Sequence, residues 1–429
     1  MALSPQTDVQ KNVDSKENKK WLLPFVLVTS LFFFWGFVHN LDPILIPHLR
    51  KAFNLTDLQS SFIDSSVFIA YFVMALPAGY IMRKYGYKSG IMIGLVLFGI
   101  GSILFVPAAN SLQYIYFLGA LFVIACGLTF LETAANPYVT ILGPSETATK
   151  RLNFSQSFNG LAAFIAPAYI GPMILSGKNL TQVQIDAMAP AELNAYLLEE
   201  AASVKMPYLV LGLIILAVAV VFYFTNMPDV KDEDKEGAEG ASFRGALKSM
   251  RLRWGIVAQF FYVGAQVCVA SFFIKMATTS AGLQEDTAAQ YLGFFGLTFM
   301  LGRFAGTFFM QYIQPRKLLI LYAIISILLS LLAIMGTGMI VVYTLIAIAF
   351  FMSIMFPTIF SMGIEGLEHN TKIGSSLIVM SIVGGALLPP VLGLISDATG
   401  SIQNGYVVPL ICFSVILLFA FNGHKTNKA

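Results

Sequence analysis

Twelve long apolar runs, separated by short polar segments, constrain the fold of this chain more than any other feature. A helix needs about 20 mostly apolar residues to cross a bilayer, and these runs have about that length. They lie at 21–42, 58–82, 89–108, 112–142, 152–175, 207–226, 252–277, 289–313, 317–336, 339–366, 373–396 and 405–423. Because unpaired backbone groups are costly in lipid, runs of this kind cross the membrane as helices. We therefore predict an all-α, polytopic membrane protein with 12 transmembrane helices.

Charged residues make up only 11% of the chain, whereas hydrophobic residues make up 57%. A soluble domain averages about 25% charged residues, so about half of the usual charge is missing. The polar segment before Trp21 has no cleavage-site pattern, and the first run is therefore predicted to remain as a helix. No phosphate-binding loop, catalytic triad pattern or metal-ligand spacing occurs in the sequence. We predict no enzyme activity, no cofactor and no metal site.

Basic residues determine the predicted orientation in the membrane. If the N-terminus is cytoplasmic, twenty of the 26 Lys and Arg residues fall in inside segments and four fall in outside loops. Cytoplasmic loops are enriched in basic residues, so we predict that both termini are cytoplasmic and that the chain lies in the cell inner membrane. The basic residues are spread over many short loops, which argues against a nucleic-acid partner.

The second half of the chain repeats features of the first. Asn136-Pro137, near the end of the fourth run, corresponds to Phe356-Pro357 in the tenth run, 220 residues later. The charged stretch after the sixth run has the composition of a solvated linker. Two six-helix repeats are typical of transporters that bind their substrate between the halves. The predicted domains are a cytoplasmic N-terminal segment (1–20), an N-terminal six-helix bundle (21–228), a cytoplasmic linker (229–251), a C-terminal six-helix bundle (252–423) and a cytoplasmic tail (424–429).

Three carboxyl groups within the apolar runs are the candidate proton-coupling residues. Charges inside a membrane are costly to keep, so each one is a functional hypothesis. Glu132 lies among small residues in the fourth run, where burial favours the protonated form of a carboxyl. Asp42 comes just before Pro43, which lacks a backbone donor and is expected to break the first helix. Asp64 lies early in the second run, and the alternative for both aspartates is a wet vestibule or a helix cap.

Amide side chains within the apolar runs are the main candidates for substrate binding. An amide both donates and accepts hydrogen bonds, which suits a neutral polyol such as a sugar. Three of the candidates in the seventh run repeat at spacings of three and four residues, so we expect them on one helix face. The alternative for any one of them is ordinary helix packing. The substrate-binding candidates are Asn40, Gln156, Asn159, Gln259, Tyr262 and Gln266.

A set of motifs along almost the whole chain resembles those of one transporter family. The motifs are Leu131–Pro137, Leu142–Pro144, Arg151–Asn153, Phe158-Asn159, Ala258–Phe260, Tyr262–Gln266, Gly302–Phe304, Phe356–Ser361 and Gly374–Ser376. By these motifs the chain resembles the L-fucose–proton symporters, in the fucose–galactose–glucose branch of the major facilitator superfamily. The resemblance implies a major facilitator fold, with 12 transmembrane helices in two six-helix halves.

The resemblance also implies a function and some of the site residues. It implies uptake of a neutral hexose driven by the proton gradient, with Glu132 as a carboxylate needed for coupling. It further implies that Asn40, Gln156 and Asn159 face the sugar.

One departure from the family pattern concerns the second functional acid. The family's first helix carries N-L-N-D-I-L, but residues 40–45 read NLDPIL here, so Pro43 occupies the position of the family's aspartate. Asp42 stands one residue earlier, which is a rotation of about 100° on a helix. Asp64 stands where close relatives carry Gln. We predict that the second acid has moved to Asp42 or Asp64.

We predict a monomeric, proton-coupled sugar symporter that imports L-fucose by alternating access within a lipid bilayer. A transporter of the same branch for glucose, galactose or an amino sugar is the first alternative, and sodium coupling is the second. A non-transporting membrane sugar sensor is the alternative from a different functional class. Neither terminal segment suggests a signalling domain.

Overall fold

The computed structural model of the chain describes residues 6–143, 148–175, 188–227, 243–367 and 370–422. Within them, 12 helical segments are long and apolar enough to cross a membrane, which confirms the predicted number. We call them spans 1 to 12. In chain order they are Trp21–Phe53, Asp57–Met82, Tyr87–Ser111, Tyr114–Val139, Phe154–Ile174, Ala191–Phe224, Met250–Ser271, Glu285–Phe309, Pro315–Met335, Met339–Ile364, Ser376–Thr399 and Ile402–Phe421.

Span 1 extends farther than its apolar run indicated. It consists of two helices, Gln6–His39 and Asp42–Phe53, which are separated by Asn40 and Leu41. The predicted break is therefore present, but the chain resumes a helix at once. Proline is well tolerated in the first turn of a helix, because the first N–H groups have no partner within the helix.

Several other spans are interrupted, and one lies beside a short extra helix. Interruptions within a membrane are tolerated where protein surrounds the freed backbone groups or where they line a cavity. In the first six spans the helices concerned are Asp57–Ser60 and Phe62–Tyr85 in span 2; Tyr87–Ile103 and Phe105–Ser111 in span 3; Ala148–Ile165, Ala166–Ile170 (a π-helix) and Gly171–Ile174 in span 5; and Pro190–Ala202 and Lys205–Phe224 in span 6. In the last six they are Met250–Ser271 and then Phe273–Ala281 at span 7; Met339–Met352 and Met355–Ile364 in span 10; Thr371–Met380, Ser381–Val383 and Gly384–Thr399 at span 11; and Ile402–Gly405 and Val407–Asn422 in span 12.

The predicted linker lies mostly, and the predicted tail wholly, outside the described residues. Of the predicted linker, residues 229–242 lie outside them, and the helix Phe243–Lys248 follows. The predicted tail, 424–429, lies outside them as well.

Spans 1 to 6 pack mainly with one another, and so do spans 7 to 12. Glycines allow the closest crossings, because lipid supplies no hydrophobic drive and helices must gain contact by approaching closely. A Cβ atom added to Gly127 of span 4 would lie 2.5 Å from the Phe98 nitrogen of span 3. In the second group, a Cβ atom on Gly255 of span 7 would lie 2.9 Å from the Gly363 Cα of span 10.

The two groups of spans meet along two seams. In the first seam, the Ser65 hydroxyl of span 2 donates to the Ala386 carbonyl of span 11 at 2.7 Å. One turn farther along span 2, the Phe68 ring covers Gly385, whose added Cβ would lie 2.9 Å from that ring. The contacts of span 2 therefore lie in the first half of its length.

The second seam joins span 5 to span 8. A Cβ on Gly296 of span 8 would lie 2.4 Å from the Ala163 carbonyl oxygen, so these two helices touch backbone to backbone. Nearer the end of span 5, a Cβ on Gly293 of span 8 would lie 2.7 Å from the Ala168 Cβ. Because consecutive spans alternate in direction, the second half of span 5 and the first half of span 2 lie at the same end of the bundle. We call this end the sealed end and the opposite end the far end.

Candidate functional site

Glu132 lies on span 4 and is half-buried. Its carboxyl lies beside the Tyr71 hydroxyl of span 2, and Tyr71 lies beside the Trp35 indole of span 1. Tyr71 follows Phe68 by three residues, so it lies one turn past the ring that covers Gly385 in the span 2 seam. Glu132 is therefore held by spans 1 and 2 at the boundary between the sealed seam and the rest of the bundle.

Asp64 lies within the seam itself and is only 2% exposed. The Ser271 hydroxyl, at the end of span 7, donates to Asp64 Oδ1 at 2.9 Å, so this hydrogen bond joins the two groups of spans. The second carboxyl oxygen, Oδ2, is buried and has no hydrogen-bond partner among the described residues. A buried oxygen without a partner makes the ionised carboxylate costly, so this surrounding favours a neutral acid.

Asp42 is also buried, and the polar contact that the structure shows for it lies within span 1. Its Oδ2 atom lies 3.5 Å from His39 Nδ1, across the break of span 1. The Asp42 and Asp64 carboxyls are near enough to repel each other when both are ionised. The two predicted aspartates thus lie close together, but only Asp64 contacts the second group of spans through a described hydrogen bond.

An amide network joins Glu132 to span 5. The Asn136 amide donates to the Glu132 carbonyl at 3.0 Å, and its oxygen accepts a hydrogen bond from Gln156 Nε2, also at 3.0 Å. On span 1, Asn40 Nδ2 donates to the Gly36 carbonyl at 2.6 Å.

Asn159 packs against the same Gly36. A Cβ atom on Gly36 would lie 2.9 Å from Asn159 Cγ, so only glycine leaves room for the amide there. Two of the predicted sugar-binding amides, Asn40 and Asn159, therefore meet at Gly36 between spans 1 and 5. The third, Gln156, contacts Asn136 one turn after Glu132 on span 4. All three side chains are half-buried.

The candidates on span 7 are placed differently. Gln259 is fully buried, and neither of its amide atoms has a hydrogen-bond partner among the described residues. Tyr262 is fully buried as well, and its hydroxyl donates to the Met352 carbonyl at 3.0 Å. Gln266 is half-buried. The Tyr262 hydroxyl is thus occupied by the backbone of span 10, whereas the Gln259 amide is still without a partner.

Residues that the sequence did not single out complete the site. Tyr71 follows Asp64 by seven residues, which is two helical turns, so it shares the face of span 2 that carries this acid. That spacing is a signal that could have identified it. Ser271 and Trp35 carry no such signal, because their partners are distant in sequence. Lys275, which follows span 7, pairs with Asp57 of span 2.

The arrangement resembles known transporters in sequence and in fold. The model of the Major Facilitator Superfamily matches residues 25–389. The L-fucose-proton symporter of Escherichia coli is 40% identical over 95% of this chain and 94% of its own length. The glucose/galactose transporter of Brucella abortus biovar 1 is 40% identical over 99% of this chain and 100% of its own. A crystal structure of the superfamily transporter FucP in the outward conformation has a TM-score of 0.70 at 40% identity, and it covers 95% of this chain and 100% of that chain.

Proposed function

Because this chain belongs to the major facilitator superfamily, in the branch of the L-fucose–proton symporters and the glucose/galactose transporters, we propose that it carries a neutral hexose across the membrane together with protons. The observation that carries this proposal is the placement of the Glu132 carboxyl beside Tyr71, one helical turn before Asn136, whose side-chain amide accepts a hydrogen bond from Gln156. L-fucose is our first choice of hexose, and glucose or galactose is the alternative.

The orientation that we propose has both termini on the cytoplasmic side of the inner membrane. Even-numbered spans then start outside, which makes the sealed end periplasmic and the far end cytoplasmic. The structure is, on this proposal, an inward-facing state of an alternating-access cycle. We propose that the monomer is the transporting unit, because each chain of this fold contains both halves that frame a substrate site.

The two acids have different parts in the proposed cycle. Glu132 receives a proton as the sugar binds to the neighbouring amides, and Tyr71 orients its carboxyl. Asp64 is reachable from the periplasm when the seam is open and becomes buried when the seam closes. Since closure leaves Asp64 Oδ2 without a partner, the seam closes at lower cost over a protonated Asp64 than over an ionised one. The proton that Asp64 takes up from the periplasm is thereby carried inward by the closure, and on this proposal it is the same single proton that Glu132 receives.

The distinct contacts of the two aspartates lead to a prediction about which one replaces the family acid. Asp64→Asn is neutral and nearly isosteric, so its seam closes without a proton. We expect this variant to keep hexose counterflow while its sugar-dependent proton uptake falls to the background level. Asp42→Asn, whose described contact is to His39 within span 1, is expected to keep both activities. The reverse result, with coupling lost only in Asp42→Asn, would assign the role to Asp42.

The proposed function is tested by sugar-induced alkalinisation in weakly buffered, de-energised cells that express the protein. A panel of L-fucose, glucose, galactose and an amino sugar is added one at a time, in sodium buffer and again with choline in place of sodium. We expect one hexose, L-fucose first, to alkalinise the medium equally in both buffers. Radiolabelled exchange of the same sugar without alkalinisation would disprove proton coupling, and a response that requires sodium would identify sodium as the coupling ion.

A further inference from the structure

Four charged side chains and one hydroxyl meet at the outermost part of the sealed end. Asp57, at the start of span 2, is 1% exposed and pairs with Lys275, which follows span 7. Arg50 Nε of span 1 lies 3.4 Å from Asp57 Oδ1, and the Ser396 hydroxyl of span 11 donates to Asp57 Oδ2 at 2.5 Å. One buried carboxylate is therefore held by three spans besides its own, and two of these belong to the other half of the molecule.

Asp397, the next residue on span 11, holds the same helix through its backbone. Its two carboxylate oxygens accept hydrogen bonds from the Asp57 and Leu58 N–H groups at 2.9 and 2.8 Å. The first N–H groups of a helix have no partner within the helix, and a carboxylate there also meets the positive end of the helix dipole. Span 2 therefore receives part of its N-terminal cap from the opposite half of the protein.

The approach of the two backbones at this point depends on a glycine. A Cβ atom on Gly393, one turn before Asp397, would lie 2.7 Å from the Asp57 carbonyl oxygen and 2.8 Å from the Leu58 nitrogen. No side chain fits into this gap unless spans 2 and 11 move apart. The charge cluster and the close backbone contact are thus two independent features of one junction.

We infer that Lys275 and Asp397 are positioning residues of the transport cycle, which hold the periplasmic end of the molecule closed while the sugar leaves at the cytoplasmic end. We name Asp57, Lys275, Ser396 and Asp397 the outer latch. This inference rests on the proposed function, because a latch of this kind has meaning only in an alternating-access cycle.

The composition of the outer latch allows it to open as well as to close. Asp397 is exposed and the Lys275 side chain is 19% exposed, so both groups regain water easily when the halves separate. Asp57 is buried only while the seam is closed, since its partners on spans 7 and 11 are what cover it. Charge pairs that are partly exposed contribute little net free energy, so the latch biases the equilibrium between the two states without locking it.

The outer latch lies closer to the periplasm than the hydrogen bond between Asp64 and Ser271. Asp57 precedes Asp64 by seven residues on span 2, and Lys275 follows Ser271 by four residues. The hydrogen bond of Ser271 to Asp64 and the ion pair of Lys275 with Asp57 therefore form as the same two helix ends come together. Closure of the latch and burial of the Asp64 carboxyl are one movement.

The test measures access to the seam from the periplasm. Ser65, whose hydroxyl bridges the seam, is replaced by Cys, and a membrane-impermeant maleimide is added outside intact cells; the three native cysteines are buried. We expect Lys275→Gln to raise the labelling rate of the new cysteine about tenfold, which corresponds to a bias of about 1.4 kcal/mol. Gly393→Ala is expected to raise it as well, because the methyl group wedges the same junction apart.

Two controls separate the latch from general loosening of the fold. Lys88→Gln makes the same chemical change at a lysine that donates to the Tyr223 and Thr225 carbonyls within the first half, and it should label like the parent. The double variant Asp57→Asn/Lys275→Gln should label more slowly than Lys275→Gln alone, because it also removes the buried carboxylate, which Lys275→Gln leaves with only the partly exposed Arg50 as a counter-charge.

Equal labelling rates in the parent, Lys275→Gln and Gly393→Ala would overturn the outer latch, whatever the sugar results. Hexose exchange is measured in the same cells, so the two proposals fail separately. If Lys275→Gln and Gly393→Ala label faster than the parent but no hexose is exchanged, the outer latch is supported and sugar transport is refuted.

Discussion

Glu132→Gln is expected to abolish uphill accumulation of the hexose while it leaves exchange of the sugar across the membrane intact. Glutamine has nearly the shape of a protonated glutamate, and its amide can still contact Tyr71, but it neither takes nor releases a proton. A membrane potential of ~100 mV supplies ~2.3 kcal/mol per charge, which supports roughly 50-fold accumulation of a neutral sugar that moves with one proton. We expect the variant to lose all of this gradient.

The measurement is uptake of radiolabelled sugar in energised vesicles, followed by counterflow in the same vesicles without a gradient. Glu365→Gln is the matched control, since Glu365 is exposed and pairs with Arg251 within the second half at 2.9 Å. Control vesicles should accumulate sugar like the parent. Full accumulation by Glu132→Gln would remove Glu132 from the coupling mechanism, and loss of counterflow together with accumulation would show that it is needed for sugar binding instead.

Gly127→Ala is expected to lower the stability of the folded protein by about 1–3 kcal/mol, the usual effect of forcing an extra methyl group into a packed interior. The added Cβ would lie 2.5 Å from the Phe98 nitrogen and 2.6 Å from the Gly94 carbonyl oxygen. Both are backbone atoms of span 3, which cannot move aside as a flexible side chain would. Spans 3 and 4 must therefore separate, and span 4 also carries Glu132.

Thermal unfolding in detergent, followed with a thiol-reactive dye, measures this change directly, because all three cysteines are buried in the folded protein. Gly119→Ala is the control on the same helix, since nothing lies within 4 Å of an added Cβ there. It should unfold at the parent's temperature or slightly above, because alanine favours a helix over glycine. Equal unfolding temperatures for the two variants would contradict the close packing of spans 3 and 4.

The fold was predictable because its main signal is local. Each membrane-spanning helix is predicted by the length and apolarity of one stretch of chain, and these two properties alone are enough to predict the 12 spans. The continuation of span 1 to Phe53 was less predictable, since Pro43 breaks a helix in mid-span but is compatible with the first turn of a new one. The sequence does not distinguish these two situations.

The candidate site was predictable only in part, for a related reason. Glu132, Gln156 and Asn159 stand out because polar groups are rare within apolar runs. Their partner Tyr71 does not stand out, because tyrosine is common in membrane helices and its contact with Glu132 joins two different spans.

The contacts at the sealed end were even harder to predict from the sequence. Asp57 and Asp397 lie at helix ends, where charged residues are ordinary, and the hydrogen bond between them connects residues 340 positions apart. Contacts of this kind depend on how the two halves meet. The way in which the two halves meet cannot be predicted from residue type or from spacing along the chain.

The Ser271 contact to Asp64 has a consequence for how transporters of this kind diversify. Three of the amides that are proposed to recognise the sugar, Asn40, Gln156 and Asn159, belong to spans 1 and 5, whereas the burial of Asp64 depends on a hydroxyl contributed by span 7. A substitution at Ser271 can therefore change how tightly proton flow is tied to transport without altering a single group that touches the cargo. Preference for a nutrient and efficiency of energy use are then separately adjustable traits, open to selection one at a time.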